Sequence, residues 1–323
     1  MKPGWTAGVT RARLLLSRIL GAERARAIAG RGSLGEGVAA LAGSAYGERV
    51  QPGVDLAAAQ HGVAETLLWH LRILAGWLPA AGAGLVRALA AWFELANVDA
   101  RLAALASDGR EPPPFVLGAL ASAWPRIDRA RTLEEVREAV AGSAWGAVPG
   151  RSPAELTLGL RVAWARRVLQ AAPQAADWVA GAGALLVARE LFVAGSHEHA
   201  AQLRRLPAIG VQPLDAGSIA ELRAALPAQA AWALEGVSEP GELWRAELGW
   251  WSRVERDSIA LLRTRGDDAA VLAAVALLAA DAQRTVRALE AAAHGGPPEL
   301  VELVAGAVPD GIAPLREVAH GAA

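Results

Sequence analysis

Apolar residues recur every three or four positions through most of the chain. In RTLEEVREAV, Leu133, Val136 and Val140 fall on one face of a helix. SPAELTLGLRVAWARRVL carries its own start signal, with Ser152 as N-cap, Pro153 in the first turn and Glu155 three residues after the cap. AAWFELANVDARLAAL and AAVLAAVALLAADAQRTVRALEAA read as long helices. No run alternates polar and apolar residues as a half-buried strand would, and no strand–helix–strand rhythm is present. The pattern predicts an all-α protein. The longest apolar run, AAVLAAVALLAA at 269–280, has 12 residues, whereas a spanning helix needs about 20. It is expected to be a buried helix. The opening MKPGWTAGVTRARLLLSRIL has arginines inside its apolar part and no small-residue cleavage site, so it does not read as a signal peptide.

Composition agrees with this reading. The chain has 323 residues, enough for two or three ordinary domains. Hydrophobic residues make up 53% and charged residues 20%, which excludes a disordered chain. The apolar excess is mostly alanine and leucine, both helix formers. Net charge is −1; with no basic stripe, the sequence does not suggest nucleic-acid binding. The absence of cysteine excludes a disulfide, a thiolate nucleophile and any cysteine-ligated metal, and agrees with a cytoplasmic setting.

The chain also repeats itself. AGSAYG at 42–47 returns as AGSAWG at 141–146. Ser33 with Glu36, and Thr132 with Glu135, have the spacing of capping boxes. Ser33 and Thr132 stand 99 positions apart, as do Tyr46 and Trp145. Pro52-Gly53 follows the first aromatic and Pro149-Gly150 the second, and the same offset carries Phe93 onto Phe192. A weaker third copy starts with Ser218 and Glu221 and reaches Trp232; the long apolar helix after residue 269 takes the place of the earlier long helices. Each copy reads as capping box, short helix, small residues with an aromatic, helical hairpin and long helix. The segments are 1–115, 116–215 and 216–323, with EPPPF and IGVQPLDAG near the boundaries.

Candidate chemistry is sparse. His197, Glu198 and His199 lack the i, i+4 spacing of a helical zinc pair and read as a structural group. Asp267 and Asp268 precede the apolar helix and suit its N-terminal dipole as cap and first-turn residues. Gly181 and Gly183 are followed by no phosphate-loop lysine and read as a close helix contact or a bend. No nucleophile-elbow serine occurs. Trp244, Trp250 and Trp251, with Arg245 and Arg253, are expected to pack the core, or else to form a partner contact. Asn97, inside an apolar helix, is expected to make a buried interhelical hydrogen bond. No catalytic, cofactor or metal residues are assigned.

The layout resembles the central-stalk connector family of the V-type and A-type rotary ATPases, known as the C connector in prokaryotes and the d connector in the eukaryotic vacuolar enzyme. AGSAYG with Tyr46 and Gly47 matches the family's aromatic-glycine turn; Glu94-Leu95-Ala96-Asn97-Val98 and then Gly109 match its long-helix motif. AGSAWG matches the second turn, with Trp145 in place of tyrosine and Gly146 after it. Gly-Ser-His-Glu-His departs from the second long-helix motif, and Asp281 with Thr285-Val286 is what the third retains. The resemblance implies three helical bundles of about 100 residues arranged as a funnel. It also implies a non-catalytic rotor connector between the membrane proteolipid ring and the D and F proteins of the central stalk, serving proton or other ion transport without a cofactor. Such a connector is cytoplasmic and peripheral, held at the inner face of the membrane through the complex. The alternative is a helical-repeat scaffold that binds other proteins outside any ATPase. A third possibility, an all-α enzyme, is opposed by the missing catalytic motifs.

Overall fold

The predicted start signals fold into caps. In a computed structural model describing residues 4–106, 112–196, 199–210, 212–264 and 266–305, the hydroxyls of Ser33, Thr132, Ser152 and Ser218 accept from the N–H groups of Glu36, Glu135, Glu155 and Glu221. Each glutamate turns back to accept from the residue before the cap, namely Gly32, Arg131, Arg151 and Gly217. One orphan donor of each helix and the N–H of the residue before its cap are thereby satisfied.

The described residues contain helices and no strand, as the periodicity predicts. The α-helices are α1 (Thr6–Leu16), α2 (Ala22–Ala29), α3 (Leu34–Ala40), α4 (Leu56–Gly76), α5 (Ala80–Ala106), α6 (Trp124–Ile127), α7 (Leu133–Ala141) and α8 (Pro153–Ala171). They continue as α9 (Ala176–Phe192), α10 (Ala200–Leu203), α11 (Ile219–Ala225), α12 (Ala228–Ala231), α13 (Leu243–Leu262), α14 (Asp267–Ala293) and α15 (Pro298–Ala305).

The chain divides into two compact units, and neither is one of the three sequence segments. One joins Met1–Val86 to Trp251–Ala323; the other is Arg87–Trp250. The divisions fall inside α5 and α13.

In the first unit α14 is the core. It packs against α1, α2, α3, α4 and α15, burying Val271, Leu272, Leu278 and Leu289. This explains why a helix from the end of the chain joins the first segment. Alanines such as Ala288 and Ala292 keep its surface low, and a Cβ on Gly37 would sit 3.0 Å from that of Ala292. Among the described residues α14 alone is long and apolar enough to cross a membrane, but 78% of its apolar window is buried against its own chain.

In the second unit α9 packs against α8, α11 and α12. Leu158, Val187, Leu203, Leu222 and Leu234 fill the core. Of the two readings for Gly181 and Gly183, contact or bend, the structure shows close contact. A Cβ on Gly181 would lie 2.5 Å from the Trp232 ring, and one on Gly183 would lie 3.1 Å from Ile209.

Candidate functional site

The near-identical hexapeptides AGSAYG and AGSAWG share one hydrogen-bond pattern, although the positive-φ glycine is Gly43 in the first and Gly146 in the second. Ser44 Oγ donates to Leu41 O at 2.6 Å and accepts from Tyr46 N at 3.2 Å. Ser143 Oγ donates to Val140 O at 2.7 Å and accepts from Trp145 N at 3.1 Å. Gly47 N and Gly146 N then donate to Ser44 O and Ser143 O. The glycines are required for different reasons. A Cβ on Gly47 would lie 2.7 Å from Leu41 O, whereas Gly146 has φ of +71°.

Each turn presents its aromatic polar atom to a buried carboxylate. Tyr46 Oη donates to Asp281 Oδ2 at 2.8 Å. Asp281, on α14, also accepts from the N–H groups of Leu20 (2.8 Å) and Gly21 (2.9 Å), which lead into α2. Trp145 Nε1 donates to Glu94 Oε2 at 2.8 Å. Glu94 Oε1, on α5, accepts from Ser122, Ala123 and Trp124 at 2.7–2.8 Å, where α6 begins. Both acids are 1% exposed. In each site one carboxylate joins a short-helix start to the aromatic turn that follows it.

The electrostatics suit this role. Burial, with the adjacent Asp281 carboxylate, holds the Tyr46 phenol well above its ordinary value, so it remains a donor. Burial also pushes the Asp281 carboxyl upward, against the pull of the Gly21 and Leu20 N–H groups, the Tyr46 hydroxyl and Arg284. Arg284 forms a buried ion pair with Glu255, whose carboxyl burial likewise raises. In the second site the Arg167 guanidinium lies 4.3 Å from the Trp145 ring centroid, a cation–π contact.

The third aromatic behaves differently. Trp232 Nε1 donates to Gln229 O, a local bond, while its ring packs on α9 at Gly181. Tyr46, Trp145 and Trp232 therefore meet α14, α5 and α9 respectively.

The remaining sequence candidates have structural partners. His199 Nδ1 lies 2.8 Å from Glu190 Oε2; His197 and Glu198 lie outside the described residues, as does Gly109. Asp267 and Asp268 occupy the first turn of α14, but the N-cap is Gly266 and no side chain caps it. Asn97 pairs with a loop rather than a helix: Nδ2 donates to Phe115 O at 2.9 Å, and Oδ1 accepts from Phe115 N at 2.8 Å. That pair ties the proline-rich segment to α5. Trp250 donates to Trp178 O, Trp251 is half-buried, and Trp244 is 41% exposed with Arg245 over its ring. Sequence reasoning quotes Glu94 as part of the long-helix motif but singles out Asn97, whereas Glu94 is the buried acceptor on which the Trp145 turn closes. The available signal is an acid flanked by Phe93 and Leu95 inside an apolar helix.

His70 on α4 is 4% exposed. Burial, followed by the charges of Arg18, Arg11 and Arg49, lowers its value to about 4. The unfolded chain takes up this proton near pH 6.5, whereas the folded chain resists until about pH 4, so the stabilising effect is complete above 6.5 and lost on acidification. Between about pH 7 and pH 4 this residue alone should remove about 3 kcal/mol of stability. Urea unfolding at both pH values should show His70→Gln with a correspondingly flatter dependence.

Among the described residues no three His, Cys, Asp or Glu side chains are grouped to hold a metal ion. No protein-family model and no curated protein matches the chain.

Proposed function

We propose that this chain is a non-catalytic rotor connector of a V/A-type rotary ATPase, joining the proteolipid ring to the central shaft. The supporting observation is the order in which the aromatic turns meet the long helices. The second repeat's Trp145 meets α5 of the first, the third repeat's Trp232 meets α9 of the second, and Tyr46 of the first meets α14 of the third. The order is cyclic in the repeats (second to first, third to second, first to third), which supports reading them as copies of one unit, as the motif resemblance implies.

Torque transmission needs joints that do not yield. At two of the three joints, those of Tyr46 and Trp145, a buried carboxylate that accepts from backbone N–H groups and a rigid aromatic supplies short, directional bonds; the third rests on packing of the Trp232 ring. Buried charge of this kind makes partial opening costly, because every donor would lose its acceptor together.

Co-expression with the proteolipid ring and with the D and F proteins of the central stalk tests the proposal. The expected result is one complex containing all of them, isolated through a tag on this chain. Failure to associate with either the ring or the stalk would overturn it.

A further inference from the structure

The proline-rich stretch near the first segment boundary takes no part in the aromatic joints. Pro112, Pro113 and Pro114 lie outside any helix or turn, between α5 and the short 3₁₀ helix at Gly118–Leu120, and all three are exposed. One proline is enough to stop a helix, so ending α5 does not account for three in a row on the surface. Val116, two residues further on, is 63% exposed.

Phe115 fixes this segment to the second unit. Its N–H donates to Asn97 Oδ1 at 2.8 Å, and its carbonyl accepts from Asn97 Nδ2 at 2.9 Å. Its ring centroid lies 5.1 Å from that of Phe93 and 6.5 Å from that of Trp92, edge-on to both. Asn97 and Phe93 are buried on α5. The prolines therefore leave the surface from a fixed point.

Their backbone follows from composition. Each proline locks φ near about −65°, and Pro112 and Pro113, each followed by a proline, are held out of the helical region. Such a run adopts polyproline II, with about three residues per turn. On that repeat Pro112 and Phe115 share one edge, the edge whose aromatic ring packs on α5. Pro113 and Val116 share the second edge and Pro114 lies on the third, so the outer edges form an apolar ridge in solvent.

We infer that residues 112–116 are a docking ligand for a partner protein whose aromatic-lined groove recognises polyproline II helices. Proline rings and an aliphatic side chain fill the shallow pockets between such aromatics. A segment already held in its bound conformation loses little entropy on docking. Residues 112–116 carry no charge, so recognition rests on shape and apolar contact. This inference is independent of the connector proposal, since neither the ring nor the stalk enters it.

The test adds the full chain, unlabelled, to three isotope-labelled probes, an SH3, a WW and an EVH1 domain, and follows the groove residues of each by NMR. At least one domain should bind with micromolar affinity, and excess oligoproline peptide should displace the chain from its groove. Pro113→Ala combined with Pro114→Ala should weaken that binding about tenfold, through lost contact and lost preorganisation. Val116→Ser should weaken it about threefold. All three positions are exposed, and circular dichroism checks that the variants are folded; Val116→Ser decides the matter should the proline variant lose its fold. If none of the domains binds, if oligoproline does not displace the chain, or if the folded variants bind as tightly as the wild type, the inference is overturned.

Discussion

Replacing Glu94 by alanine should lower the unfolding free energy by about 4 kcal/mol, measured by urea denaturation at unchanged slope. Its carboxylate is the acceptor for four buried donors: the backbone N–H groups of Ser122, Ala123 and Trp124, and the Trp145 indole. An orphaned buried donor costs about 1–3 kcal/mol, and relaxation or an entering water recovers part of the total. Glu94→Gln separates the two halves of the site. The remaining oxygen can keep the three backbone donors, but the new amide then points N–H groups at an indole that can only donate. A loss of about 2 kcal/mol is expected. Adding Trp145→Phe removes that conflict, so the double variant should be about 1 kcal/mol more stable than the sum of the singles predicts. If Glu94→Ala loses less than about 1 kcal/mol, the carboxylate does not hold the joint.

What the sequence conveys and what it hides divide by distance along the chain. The caps at Ser33, Thr132, Ser152 and Ser218 are local, each completed within four residues, and their spacing is sufficient to find them. The helical character and the close approach at Gly181 are legible for the same reason, since periodicity and a missing Cβ act where they stand. The carboxylate sites are not local. Tyr46 and Asp281 are separated by 235 positions, and Trp145 and Glu94 by 51. No spacing rule connects such pairs. The repeat locates the aromatic half of each site, because the same hydrogen-bond pattern is rebuilt from a near-identical hexapeptide. It cannot locate the acidic half, which differs in residue type and arises from a helix assigned to another copy. Asn97 shows the converse error: its polarity inside an apolar helix correctly signals a buried hydrogen bond, but the partner is the loop at Phe115.

Asp281→Ala should have nearly as large an effect as loss of Glu94, about 3–4 kcal/mol, but a different pattern of rescue. Three donors lose their acceptor: Leu20 N, Gly21 N and the Tyr46 hydroxyl. The hydroxyl differs from an indole in that it can also accept. In Asp281→Asn the Tyr46 hydroxyl can turn and take a hydrogen bond from the new amide. The two backbone donors use different oxygens, Leu20 N on Oδ2 and Gly21 N on Oδ1, so one of them is still orphaned. The expected loss is therefore about 1–2 kcal/mol. Tyr46→Phe alone should cost about 1 kcal/mol, and adding it to Asp281→Asn should bring no relief, because the hydroxyl was already satisfied. The two repeats thus make opposite predictions for the aromatic substitution beside an amide, compensating at Trp145 and not at Tyr46. A double-mutant cycle at each site measures that difference. Equal coupling at both would mean that the aromatics act through packing alone and that the polar atoms of the two turns are interchangeable.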